Sequence, residues 1–237
     1  IAISGDFPAD LLHRLPGGTS YKESIVKSLK RKRLIRTFYR NGLRTYRLTA
    51  LAKNLLQAEQ PDRFSFYLTG NTDTNLLKSE ITRRLRLNQI ATVYMNMLLA
   101  GIHIFRDDKP EIFSPKGSPA SILDKPAFYS SREIKDIGLE AIKIRGSRMT
   151  GALLSPAGVY IVYNSGTALA KWETRSELRV KALIQMELCQ RRLPGQYKIE
   201  DVNALLFGDS MSLVSQFLID RKNYFVLDGN YNHFYFF

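Results

Sequence analysis

Cysteine is all but missing from this chain: Cys189 stands alone among 237 residues, so no disulfide can close within it. That fits a reducing interior, with Cys189 packing as a small apolar residue. Histidine is scarce too. His13, His103 and His233 lie far apart, and none has a Cys or His neighbour at metal-ligand spacing. No apolar run reaches the roughly 18 residues of a membrane helix, and no signal peptide or lipid anchor is visible, so the expected location is cytoplasmic. There is no GxGxxG, no phosphate-binding loop and no nucleophile elbow, and Gly146, Gly151 and Gly166 read as turn and strand-edge glycines. Neither a cofactor nor a metal is expected. Acidic residues are outnumbered, 22 against 35 basic ones, and a net charge of +13 with a pI near 9.8 implies an anionic partner.

The shortage of acids is sharpest between residues 20 and 50. There Glu23 is the single acid against Lys22, Lys27, Lys30, Arg31, Lys32, Arg33, Arg36, Arg40, Arg44 and Arg47, a local excess of +9. Thr19 or Ser20 can cap a helix whose apolar positions Ile25, Val26 and Leu29 recur at helical spacing. At 100° per residue Ser20, Ser24, Lys27 and Arg31 form a polar stripe on the other side. The β-formers Leu34 to Tyr39 and Leu43 to Leu48 flank Asn41-Gly42, the favoured pair for a type I′ turn, which predicts a hairpin. A Thr49-capped helix to Glu59 follows. Upstream, residues 7–15 supply a short helix and Pro16-Gly17-Gly18 a turn.

This order is that of a winged helix-turn-helix over residues 1–60. A charge run alone is ordinarily a solvated face, but here the charge lies on the two elements that such a domain presents to a duplex. The residues expected at double-stranded DNA are Ser20, Tyr21, Lys22, Ser24, Lys27, Lys30 and Arg31 on the helix, and Arg36, Arg40, Arg44 and Arg47 on the wing.

Residues 61–122 read as a connector containing a long helix, about 73–101, packed on the second domain. Arg83, Arg84 and Arg86 form a smaller basic group on it, taken first as solvated charges. Two short strands are expected within Ile102 to Ser114, and a loop at 115–119. Residues 123–237 read as an α/β layered domain. It comprises a small helix at 131–137, strands at Ala141–Ile144, Gly151–Leu154 and Val159–Tyr163, and a helix over Ser176–Arg191 with Leu178, Ala182, Ile184 or Gln185, and Cys189 near its apolar side. After these come a buried strand at Asp201–Phe207, a helix holding Leu213 to Leu218, and strands at Tyr224–Leu227 and His233–Phe237. The fold class is therefore α+β. Arg145, Arg148, Lys171, Trp172, Arg175 and Arg179 are candidates for a second anionic contact or the rim of a protein interface.

The arrangement resembles the replication-relaxation family, proteins of plasmids and integrative conjugative elements in Gram-positive bacteria. GDFPADLL, SYKESIVKSLKRKRLIRTF and RTYRLT carry the match over residues 6 to 56. The resemblance implies a non-catalytic DNA-binding accessory of a mobile element, acting at an origin of transfer or in plasmid replication, with a relaxase or another conjugation protein as partner. SRMTGALL and YIVYN resemble strands of a degenerate restriction-endonuclease-like core, whose active members hold a divalent metal with one acid on the first strand and an acid-x-Lys on the second. Ser147 to Gly151 and Tyr163 to Gly166 stand at those places without the acids. A divalent-metal nuclease would need others, such as Glu173 or Glu177. A winged-helix transcription regulator is the nearer alternative.

Overall fold

The computed structural model describes residues 1–69, 80–114, 123–168, 174–219 and 231–237. It is a mixed α+β protein whose two sheets fall in two compact units, Ile1–Asn96 and Met97–Phe237. The division between them falls near the C-terminal end of the long helix, whereas the sequence placed a boundary near residue 60.

In the first unit, strand β1 (Phe7–Pro8) leads through a 3-10 turn (Ala9–Arg14) into helix α1 (Thr19–Arg31). Its N-cap is Gly18 rather than Thr19 or Ser20, with no side-chain cap bond. The helix closes on Arg33, which takes a positive φ of 54° so that the Leu34 and Arg33 amides reach back to the Leu29 and Lys30 carbonyls. Strands β2 (Ile35–Arg40) and β3 (Leu43–Leu48) pair antiparallel across Asn41 (φ 48°) and Gly42 (φ 78°), the two positive-φ residues that the Asn-Gly pair predicts. β1 adds to the other edge of β3, through Phe7 opposite Tyr46 and Pro8 opposite Thr45.

Thr49 caps helix α2 (Ala50–Glu59), its Oγ1 accepting from the Ala52 amide. Pro61 does not begin a loop. Its fixed φ and missing N–H suit the first turn of helix α3 (Pro61–Leu68), where a connector was expected. Helix α4 (Ile81–Leu99) stops before Gly101; the expected start at 73 lies outside the described residues. No described helix is long and apolar enough to cross a membrane.

The second unit is built on a five-stranded sheet in the order β4 (Ala127–Ser130), β5 (Gly151–Ser155), β6 (Gly158–Gly166), β7 (Val202–Gly208) and β8 (Phe234–Phe236). β4, β5 and β6 form an antiparallel meander, and β7 and β8 extend it in parallel. A short helix α5 (Ser131–Ile134), closed by a reciprocal capping box between Ser130 and Glu133, follows β4. Helix α6 (Thr174–Gln185), prolonged by π-type turns over Met186–Arg192, links β6 to β7, and α7 (Ser212–Ile219) follows β7. The core gathers Ala152, Leu154, Val159, Ile161, Tyr163, Ala204 and Leu206 of the sheet with Val180, Leu183, Ile184 and Leu188 of the α6 segment.

Several expected elements are replaced. Residues 102–114 hold one isolated bridge, His103 to Ala127, and a 3-10 turn instead of two strands. Leu139–Ile144 is a 3-10 helix that buries Ala141 and Ile144, three apart, where a strand was expected. The apolar side of α6 is Val180, Leu183 and Ile184, while Leu178 is 44% exposed. The strand expected at 224–227 and the loop at 115–119 lie outside the described residues.

Candidate nucleic-acid interface

On α1, Ser20, Tyr21, Ser24, Lys27 and Arg31 are all exposed, Tyr21 to 65%. Ser24 donates its hydroxyl to the Tyr21 carbonyl at 2.8 Å. Lys30 is half-buried with its ammonium 5.1 Å from the Tyr46 ring centre, a cation–π contact that ties helix to hairpin. Lys22 departs from the expectation. It is 8% exposed, and its Nζ donates to the His13 carbonyl at 2.8 Å and the Leu15 carbonyl at 3.1 Å, stitching α1 to the turn before it. Its position was legible: Lys22, Val26 and Leu29 stand at offsets of four and seven, the inward side of the helix.

The hairpin carries its arginines on both faces. Register pairs Arg36 with Arg47, Phe38 with Thr45 and Arg40 with Leu43 on one face, and Tyr39 with Arg44 and Thr37 with Tyr46 on the other. Arg36, Arg40 and Arg44 are exposed, as is Tyr39 at 70% beside the turn. Arg47 is the second departure: it is buried, with Nε and Nη2 donating to Asp6 Oδ2 at 3.2 and 2.9 Å. A charge 41 residues away supplies this partner, and spacing along the chain carries no sign of it.

Arg84, taken from the sequence as a solvated charge, is wholly buried. Its Nη2 donates to the Phe38 carbonyl (3.2 Å), the Leu43 carbonyl (3.1 Å) and Thr45 Oγ1 (2.8 Å), and its Nε lies 3.6 Å from Asp6 Oδ2. Burial lowers its pKa and Asp6 opposes that shift. The guanidinium groups of Arg84 and Arg47 lie 4.3 and 4.6 Å from the centre of the Phe38 ring.

Comparison with family models, curated proteins and solved structures gave no match.

Glu177 is fully buried: its carboxylate accepts from Ser147 Oγ and the Arg148 amide, both at 2.7 Å, and lies against Tyr163, whose hydroxyl is 3.2 Å from that of Tyr231. Burial raises the Glu177 pKa despite those donors, and raises both tyrosines. Glu173, Lys171 and Trp172 lie outside the described residues, while Arg145, Arg148, Arg175 and Arg179 are exposed. Glu133 pairs with Lys109 at 2.8 Å, and Lys109 also donates to the Ile104 and Phe128 carbonyls, so its three N–H groups are met. Burial lowers the Lys109 pKa, with Glu133 opposing the shift. Among the described residues no His, Cys, Asp and Glu cluster has the make-up of a metal site.

Proposed function

We propose that the first unit is a winged helix that binds double-stranded DNA, with α1 in the major groove and the β2–β3 hairpin along the neighbouring backbone. One observation carries this reading. Ser20, Ser24, Lys27 and Arg31 are exposed together on α1, and the hairpin that follows directly exposes Arg36, Arg40 and Arg44. Lysine and arginine on such surfaces gain affinity by releasing counterions from phosphates, and polar side chains on the helix reach base edges. Lys22 and Arg47 are assigned to holding these elements in place, not to contact.

The biological role we propose is that of a non-catalytic accessory of a mobile genetic element, working with a relaxase or another conjugation protein. It rests on the likeness to the replication-relaxation family and on the sequestered state of Glu177, both of whose carboxylate oxygens already accept hydrogen bonds.

Fluorescence anisotropy on a labelled duplex over a range of salt tests the binding. Lys27→Ala with Arg31→Ala should weaken binding by about tenfold or more, the loss of two charged contacts. Unchanged affinity at moderate salt would overturn the docking. Sequencing the genomic fragments that the purified protein retains then separates the roles: fragments beside a transfer origin support the accessory, and fragments at promoters replace it with a transcription regulator.

A further inference from the structure

Two guanidinium groups, Arg47 and Arg84, meet one buried carboxylate, Asp6, beneath the hairpin. Nε and Nη1 of Arg84 have no hydrogen-bond partner among the described residues. For mere packing this is an expensive choice, since an unpaired buried donor is costly and an apolar side chain would fill the space. What the guanidinium alone supplies is reach. From α4 it contacts a carbonyl on each hairpin strand, Phe38 on β2 and Leu43 on β3, while its plane lies over the Phe38 ring.

The place of this contact matters. β1 supports β3 only at Thr45 and Tyr46, so the distal part of the hairpin, residues 39–44, has no third strand beside it among the described residues. Two strands alone are marginal in water. That distal part carries Arg40 and Arg44, and Arg84 is tied to the Phe38 carbonyl just before it and to the Leu43 carbonyl within it, beside the turn.

We infer that Arg84 is a positioning residue for nucleic-acid binding: it fixes the hairpin against α4 so that Arg36, Arg40 and Arg44 meet phosphates together, though it touches none itself. The inference rests on the duplex-binding reading above. A buried side chain then controls how many counterions are released. Each phosphate contact contributes about 0.9 to the slope of log affinity against log salt. A hairpin that swings freely pays to be ordered on binding and engages fewer phosphates.

The test uses the full chain with Arg84→Lys and Arg84→Met, titrated onto duplex DNA across salt, beside hydrogen exchange of the amides of residues 38–45. Expected are a salt slope shallower by about 2, amide exchange in the hairpin about tenfold faster, and less than twofold further loss when Arg84→Lys is added to Arg40→Ala with Arg44→Ala. A slope equal to that of the unaltered chain, or losses that simply multiply, overturns the inference. Arg84→Lys keeps the charge and decides the matter if Arg84→Met does not fold. If the unaltered chain shows no salt-dependent duplex binding, the DNA reading fails, whereas unchanged hairpin exchange in Arg84→Lys defeats the positioning role on its own.

Discussion

At the scale of single residues, charge in this protein divides into cations that face water and cations that are consumed. Lys22, Arg47, Arg84 and Lys109 belong to the second group, each ending on carbonyls or a carboxylate within its own unit. Glu177 is their acidic counterpart, and its titration can be followed. Its folded pKa lies above the ordinary value because burial disfavours the charged form. An acid of that kind lends stability that is fully present below its unfolded pKa, about 4.3, and lost as pH rises through the folded value. Thermal melts of Glu177→Gln and the unaltered chain should therefore diverge as pH rises above the unfolded value of about 4.3, the variant gaining relative to the parent. A constant difference across that rise would show that the carboxyl titrates alike in both states.

At the scale of elements, tight backbone approach sets what can change. A Cβ on Gly151 would stand 2.3 Å from the Tyr129 carbonyl oxygen and 2.5 Å from the Phe128 ring. The carbonyl belongs to the paired strand β4, so it cannot withdraw without breaking the β4–β5 ladder. Gly151→Ala should cost about 3 kcal/mol, the upper range of overpacking, measured by denaturant unfolding. Elements announced by local chemistry were legible in the sequence: the Asn41-Gly42 turn, the Thr49 cap, α1 with its outward polar stripe, and β7 as a short apolar run. Elements whose identity depends on distant partners were not. β4 is four residues of mixed character that become a strand because β5 lies beside them, and Leu139–Ile144 alternates like a strand yet buries positions three apart. In the candidate site, helical periodicity made the exposure of Ser20, Ser24, Lys27 and Arg31 legible. The site's internal scaffold of Asp6, Arg47 and Arg84 joins positions 41 and 39 residues apart or more, and one-dimensional spacing does not encode such pairs.

At the scale of the whole molecule, charge is unevenly shared. Residues 1–96 hold seventeen basic and seven acidic side chains, a net +10, which leaves +3 for residues 97–237. Salt-sensitive attraction to a polyanion should therefore reside in the first unit. Arg145→Ala with Arg148→Ala, both exposed in the second unit, should change duplex affinity by less than about twofold, within the screening limits on isolated surface charges. A tenfold loss in the same anisotropy titration would place a second contact there. The parallel register of the larger sheet also dictates an order of assembly. β2 and β3 are joined by two residues and can zip in about 1–10 μs, but β6 meets β7, with Val159 beside Val202, only after the α6 crossover has folded back. During synthesis the N-terminal arm emerges first, so the basic hairpin takes shape while its companion sheet is still awaiting strands.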